Sequence, residues 1–396
     1  MMPLLRIQEP PRAVPGGFAL FALGFRPFYL LASVFAALSV PLWALQFAGL
    51  LGRPYLAGPV WHAHEMVFGF TLAVIVGFLF TAGRNWTNQP TPTGARLAAL
   101  AALWLAARVL VLTPWSVAAA AANVAFPLAA AAALAVPFVR AKNRRNYFFV
   151  GLLVLMALAA GAVHAVQLGL IQPPGGLGLP VALDVVLFIL AVMGGRVIPM
   201  FTNNGVPGAG AVRRPAVERV ALGLALALLV ADAVGLQGPA LAALALCGAV
   251  AQGWRWALWR PWRARRVPLV WVLHLAYAWV PVHLLLRALA GFGVVSPSLA
   301  THALTVGAIG GLVIGMMTRT ARGHPGRLLK ADRFEVACYT LVAAAAFVRV
   351  GLPLLVPAAL VPAALASALL WSAGFGLYAV RYWPVLSRPR IDGLPG

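Results

Sequence analysis

Acidic side chains are scarce in this chain: 8 Asp and Glu stand against 30 Lys and Arg in 396 residues, and charged residues together make up only 10%. A chain so poor in charge and 62% hydrophobic cannot clothe a soluble core, which excludes a water-soluble fold. Cysteine is almost lacking too. Cys247 and Cys338 each sit alone in an apolar run and read as buried small hydrophobes. No Cys-x-x-Cys-His occurs, which excludes covalent attachment of a c-type haem. The opening stretch MMPLLRIQEPPRAVPGG is too polar and proline-rich for a cleavable h-region, so the first apolar span is expected to insert uncleaved. Repeat-protein periods are absent, and the gaps between apolar runs leave no room for a soluble domain.

What the chain does have is apolar runs of membrane-spanning length. Runs bounded by Pro, Gly and Arg clusters predict an all-α, polytopic transmembrane bundle of about twelve spans in a single domain covering 1–396. They fall at 28–50, 60–81, 95–113, 115–139, 147–170, 180–201, 215–236, 238–259, 268–290, 298–318, 334–352 and 359–382. The net charge of +22 would point to nucleic acid in a soluble protein. Here the basic residues occupy short gaps, where they act as topology signals.

Basic clusters mark every second gap: Arg6/Arg12, Arg84/Arg96, Arg140 to Arg145, Arg213 to Arg219, Arg255 to Arg266, Arg319 to Arg333 and Arg388/Arg390. Only the gap holding Arg53 breaks the alternation. The positive-inside bias then places both termini, including a tail over 1–20, in the cytoplasm.

With directions assigned, His62, His64, His164 and His302 fall at one depth in the outer half. A single intramembrane His is usually a hydrogen-bonded helix contact. Four at a common depth point instead to metal or haem ligation, since imidazole in hydrocarbon is costly unless bound. His62 and Glu65, three apart, share a helical face, so the carboxylate is expected to orient His62 or a water. His62 and His64 project roughly 200° apart and should serve different sites unless the first turn is irregular.

On the inner side, Arg84, Arg196 and Arg319 form a cationic layer able to hold haem propionates, anionic lipid or a quinone head group. His274 lies in that half as well, and His324 follows in RTARGHPGR. Simple anchoring to the interface is the competing reading for the arginines. Gly307, Gly311 and Gly315 make a small-residue ridge for close helix contact, with His302 on the opposite face in line with Ile309 and Met316.

At WHAHEMVFGF (61–70), GFLFTAGRNWT (77–87), GGRVIPMFTNN (194–204), the long stretch HALTVGAIGGLVIGMMTRTARGHPGR (302–327) and GFRPF (24–28), the chain resembles the NnrS family of bacterial membrane proteins. The resemblance implies a twelve-span protein of the cytoplasmic membrane that contains b-type haem and copper and is linked to nitric oxide metabolism and nitrosative stress. His62, His64, Glu65, His164, His274, His302 and His324 lie in family-like stretches, whereas His283 matches no such pattern.

The leading expectation is therefore a haem and copper protein that binds or reduces nitric oxide, with a quinol as electron donor. The expected metal ligands are His62, His64, His164, His274, His302 and His324, and the proton-handling candidates are Glu65, Asp184 and Tyr277. The paired His-His and His-x-x-x-Tyr arrangements of haem-copper oxidases are absent. Two rival readings are a transporter using Asp184 and Asp232 in proline-interrupted spans, and a sensor that binds without turnover.

Overall fold

The computed structural model describes residues 17–47, 55–172 and 178–392; Arg6, Arg12 and Arg53 lie outside the described residues. Twelve helical rods follow one another: α1 Phe25–Phe47, α2 Gly58–Thr87, α3 Gly94–Leu110, α4 Ser116–Arg140, α5 Phe148–Gln167 and α6 Leu179–Gly205, then α7 Pro215–Ala233, α8 Pro239–Leu258, α9 Pro268–Gly291, α10 Pro297–Gly323, α11 Arg333–Leu355 and α12 Leu360–Leu386. No strand occurs among the described residues. Ten of the twelve are long and apolar enough to cross a membrane. The exceptions are α3, with 17 residues, and α7, which carries Glu218, Arg219 and Asp232.

Hydrocarbon offers backbone groups no partner, which is why the chain satisfies them within helices. Pro stands in the first turn of α7, α8, α9 and α10, where its missing N–H costs nothing. Neighbours in sequence pack as antiparallel pairs, and α1 closes the bundle against α12. The described ends meet on one face: the Ala19 amide donates to the Ser387 carbonyl at 2.8 Å, and Arg26 donates to the carbonyls of Leu386 at 3.0 Å and Arg388 at 2.7 Å. This face also carries the arginine-rich loops.

The glycine ridge does what its spacing predicts, and its partner is α9. A Cβ on Gly307 would meet Trp279 at 2.4 Å, one on Gly311 would meet Ala276 at 2.6 Å, and one on Gly315 would meet Leu273 at 2.9 Å. Two sequence expectations need correction. Arg255, counted with a loop cluster, is buried on α8 and bound to Glu218 at 2.6 Å. Cys247 is exposed on the bundle surface, where only apolar contact is required, while Cys338 is buried.

Gly311→Leu should cost about 1–3 kcal/mol through overpacking against α9, seen as a lower unfolding temperature in detergent. Gly151→Ala, with nothing within 4 Å of the added carbon, should not lower it.

Candidate metal and haem centre

Three rods share one irregularity. α2 widens into a π-helix over Glu65–Thr71, α10 over Ala303–Gly310 and α11 over Phe347–Gly351. An extra residue per turn redirects the side chains at its edge, which is why such segments recur at functional sites. The three segments border His62, His64, Glu65, His302 and Arg349, all in the half away from the arginine-rich loops, called the outer half below.

The widening begins at Glu65. Its Oε1 accepts from Nδ1 of His64 at 2.8 Å, so the expected pairing of Glu65 with His62 is replaced by a pairing with the adjacent residue. The same oxygen accepts from Arg108 on α3 at 2.6 Å, and Arg108 also binds the side-chain oxygen of Asn123 on α4. Gly69 makes this possible, because a Cβ there would lie 2.7 Å from the Arg108 guanidinium. His64 and Glu65 are fully buried.

Across from His64 lies His164 of α5, its ring edge-on at 4.9 Å between centroids. Its Nδ1 stands 3.2 Å from the Tyr55 hydroxyl, which in turn reaches the His164 carbonyl at 3.3 Å. Burial raises the Tyr55 phenol above its ordinary range and keeps it a donor. One arrangement satisfies both contacts: Nδ1–H donates to the hydroxyl and the hydroxyl donates to the carbonyl. In both histidines Nδ1 is then occupied, while Nε2 is buried with no hydrogen-bond partner among the described residues.

Such orphaned nitrogens are costly, and a metal satisfies them. With metal–nitrogen bonds of about 2.0 Å, two imidazoles on one ion have centroids up to roughly 6 Å apart, so the 4.9 Å separation fits.

His62 and His302 form a separate pair. Both stand on the wall of a cavity of about 530 Å³ together with Trp43, Trp371, Met66 and Arg349. His62 leans on Trp43 at 5.2 Å, and its Nδ1 is buried without a partner. His302 Nδ1 donates to the Ser298 carbonyl at 2.7 Å, which fixes the tautomer and leaves Nε2 as the acceptor. Arg349 donates to Ser298 Oγ at 3.2 Å, and its other terminal nitrogen has no partner among the described residues. A largely apolar chamber with two imidazoles and a guanidinium without a carboxylate could hold a b-type haem and one of its propionates.

The single four-histidine layer expected from depth thus resolves into two pairs, because His62 and His64, two residues apart in a regular helical turn, face different sides. Among the described residues, no three His, Cys, Asp or Glu gather in a way that would hold one ion.

The other candidates lie elsewhere. His274 bonds through Nε2 to Thr202 Oγ1 at 2.8 Å in the arginine-rich half. Tyr277 joins Arg255 at 2.9 Å and Gln252 at 2.7 Å. Asp184 is held by Arg287 at 2.9 Å, and the same guanidinium holds Asp232 at 2.6 Å. His283 donates through Nδ1 to the Ala300 carbonyl at 2.7 Å. Arg196, Arg319 and His324 share a second cavity, whose wall does not include Arg84. Burial, then Arg390 and Arg26, lowers the His324 imidazole below its usual range.

Arg108, Asn123, Tyr55, Ser298 and Arg349 were not singled out from sequence. Arg108 and Arg349 carried a usable signal, since each is a solitary guanidinium inside an apolar run and therefore needs a buried partner.

Arg108→Met should destabilise the protein by about 3–5 kcal/mol, because it strands the Glu65 carboxylate in the core. Adding Glu65→Leu to that variant should recover most of the loss. Thermal unfolding of the two variants side by side checks this, and equal unfolding temperatures would contradict it.

Among curated proteins none matches the chain. Residues 19–390 match the family described as NnrS protein. The match covers nearly the whole length, and the chain belongs to the NnrS family.

Proposed function

We propose that this protein holds copper between His64 and His164 and a b-type haem in the His62/His302 chamber, and that nitric oxide is its substrate or ligand. The observation that carries the proposal is the pair of buried Nε2 atoms on His64 and His164, whose other ring nitrogens are already engaged. Neutral imidazole nitrogens suit both copper and haem iron. The family's general association with nitric oxide supplies the ligand. When bound, the metals would supply affinity for a small diatomic ligand and one-electron chemistry.

The chain's own residues have separable tasks. Glu65 fixes the His64 tautomer and raises its basicity, as outer-shell carboxylates do. Its Oε2 is buried without a partner among the described residues. Asp184 and Tyr277 line neither the chamber nor the His64/His164 pair, so of the three expected proton-handling groups only Glu65 adjoins a histidine pair. Arg349 would offset a propionate. Apolar walls exclude water and favour a ligand arriving through lipid. The protein is a multi-pass membrane protein; we assign it to the bacterial cytoplasmic membrane, with both termini cytoplasmic and a quinol as electron donor.

Iron and copper per chain, with optical spectra of the purified protein, test the assignment. His64→Ala and His164→Ala should lose copper and keep the Soret band, whereas His62→Ala and His302→Ala should lose or shift that band. Glu65→Gln should weaken copper binding by about 10–100-fold. A metal-free wild-type protein, or histidine variants with unchanged spectra and metal content, would overturn it. Nitric oxide consumption with a quinol donor then separates turnover from binding alone.

A further inference from the structure

The arginine-rich half contains a second cavity, of about 550 Å³, that neither histidine pair uses. It lies between α2, α6 and α10, with Arg196, Arg319, His324 and Arg390 on its wall. Arg390 is compensated by Asp392 at 2.5 Å. The other two guanidiniums are not. Arg319 lies over the Phe201 ring at 3.7 Å and makes no hydrogen bond or ion pair among the described residues. Arg196 donates to the Asn146 side-chain oxygen at 2.8 Å and meets no carboxylate among them.

Two guanidiniums on one cavity wall, neither bound to a carboxylate among the described residues, keep donors free for a ligand and favour an anion. The cavity does not end at the arginines. Phe78, Met193, Val197 and Met316 are shared with an apolar slot of about 80 Å³ that runs along the same three helices toward the middle of the bundle. A slot of that size is too small for a porphyrin and admits only the end of a hydrocarbon chain, whereas a bare ion would leave it unfilled.

We infer that this cavity binds a phospholipid with an anionic headgroup, its phosphate between Arg196 and Arg319 and the end of one acyl chain in the slot. The inference is independent of the copper and haem assignment, since it concerns groups in the opposite half of the bundle.

The test uses the full-length protein with whatever metals it carries, washed free of lipid in detergent. Thermal unfolding is followed while phosphatidylglycerol, phosphatidylcholine or inorganic phosphate is added. Phosphatidylglycerol should raise the unfolding temperature saturably, and the other two should not at the same concentrations. Arg196→Gln and Arg319→Gln should each raise the half-saturating concentration about five- to tenfold, while Arg140→Gln, exposed at the end of α4, leaves it unchanged.

Equal shifts with phosphatidylcholine would overturn the charge selectivity, and equal shifts with inorganic phosphate would reduce the site to one for a free anion. Loss of Soret absorbance in Arg319→Gln would instead assign the arginines to haem. If the variants do not fold, native mass spectrometry of the wild type in a mixture of both lipids decides: retained phosphatidylglycerol supports the proposal, and retention of neither or of both equally ends it.

Discussion

Charge matching in a medium without water governs this structure. Of the 8 acidic residues, only Glu9 lies outside the described region, and each of the other seven is ion-paired with an arginine. Glu65 joins α2 to α3 through Arg108, Glu218 joins α7 to α8 through Arg255, and Asp184 and Asp232 join α6 and α7 to α9 through Arg287. Glu335 and Asp332 join α11 to Arg322 of α10. A buried charge deprived of its partner is severely destabilising, so these pairs fix which rods are neighbours more firmly than lipid-like side chains do.

The same accounting isolates the arginines that lack an acid. Arg349 faces the outer chamber, and Arg196 and Arg319 face the inner cavity. Guanidiniums on a cavity wall without a carboxylate match ligands that bear propionate or phosphate groups. It also bears on transport. Asp184 and Asp232 resemble carrier carboxylates in the sequence; in the fold they share one guanidinium, which leaves one of the two carboxylate charges unmatched.

Two separate histidine pairs arise because His62 and His64, two residues apart in a regular turn, face different sides of α2. A π-segment follows them in α2, another follows His302 in α10, and a third contains Arg349 in α11. The glycine ridge of α10 starts inside its π-segment at Gly307, against Trp279, and continues in the regular helix at Gly311 and Gly315 against Ala276 and Leu273.

Much of this was legible in the sequence. Apolar run lengths determined the all-helical bundle and the order of its rods, because backbone groups in lipid have no other way to be satisfied. The glycine spacing determined a close helix contact, and the order of the spans placed four histidines in the half away from the arginine-rich loops. Tertiary structure alone decided who meets whom. That His62 and His64 face different partners was readable from their spacing, but which partners they meet, the capture of Glu65 by Arg108, and the placing of Arg196 and Arg319 on one cavity wall depend on helix rotation. Rotation is set by packing between segments far apart in the chain, and a π-turn leaves no periodic mark in a run that is apolar on every side.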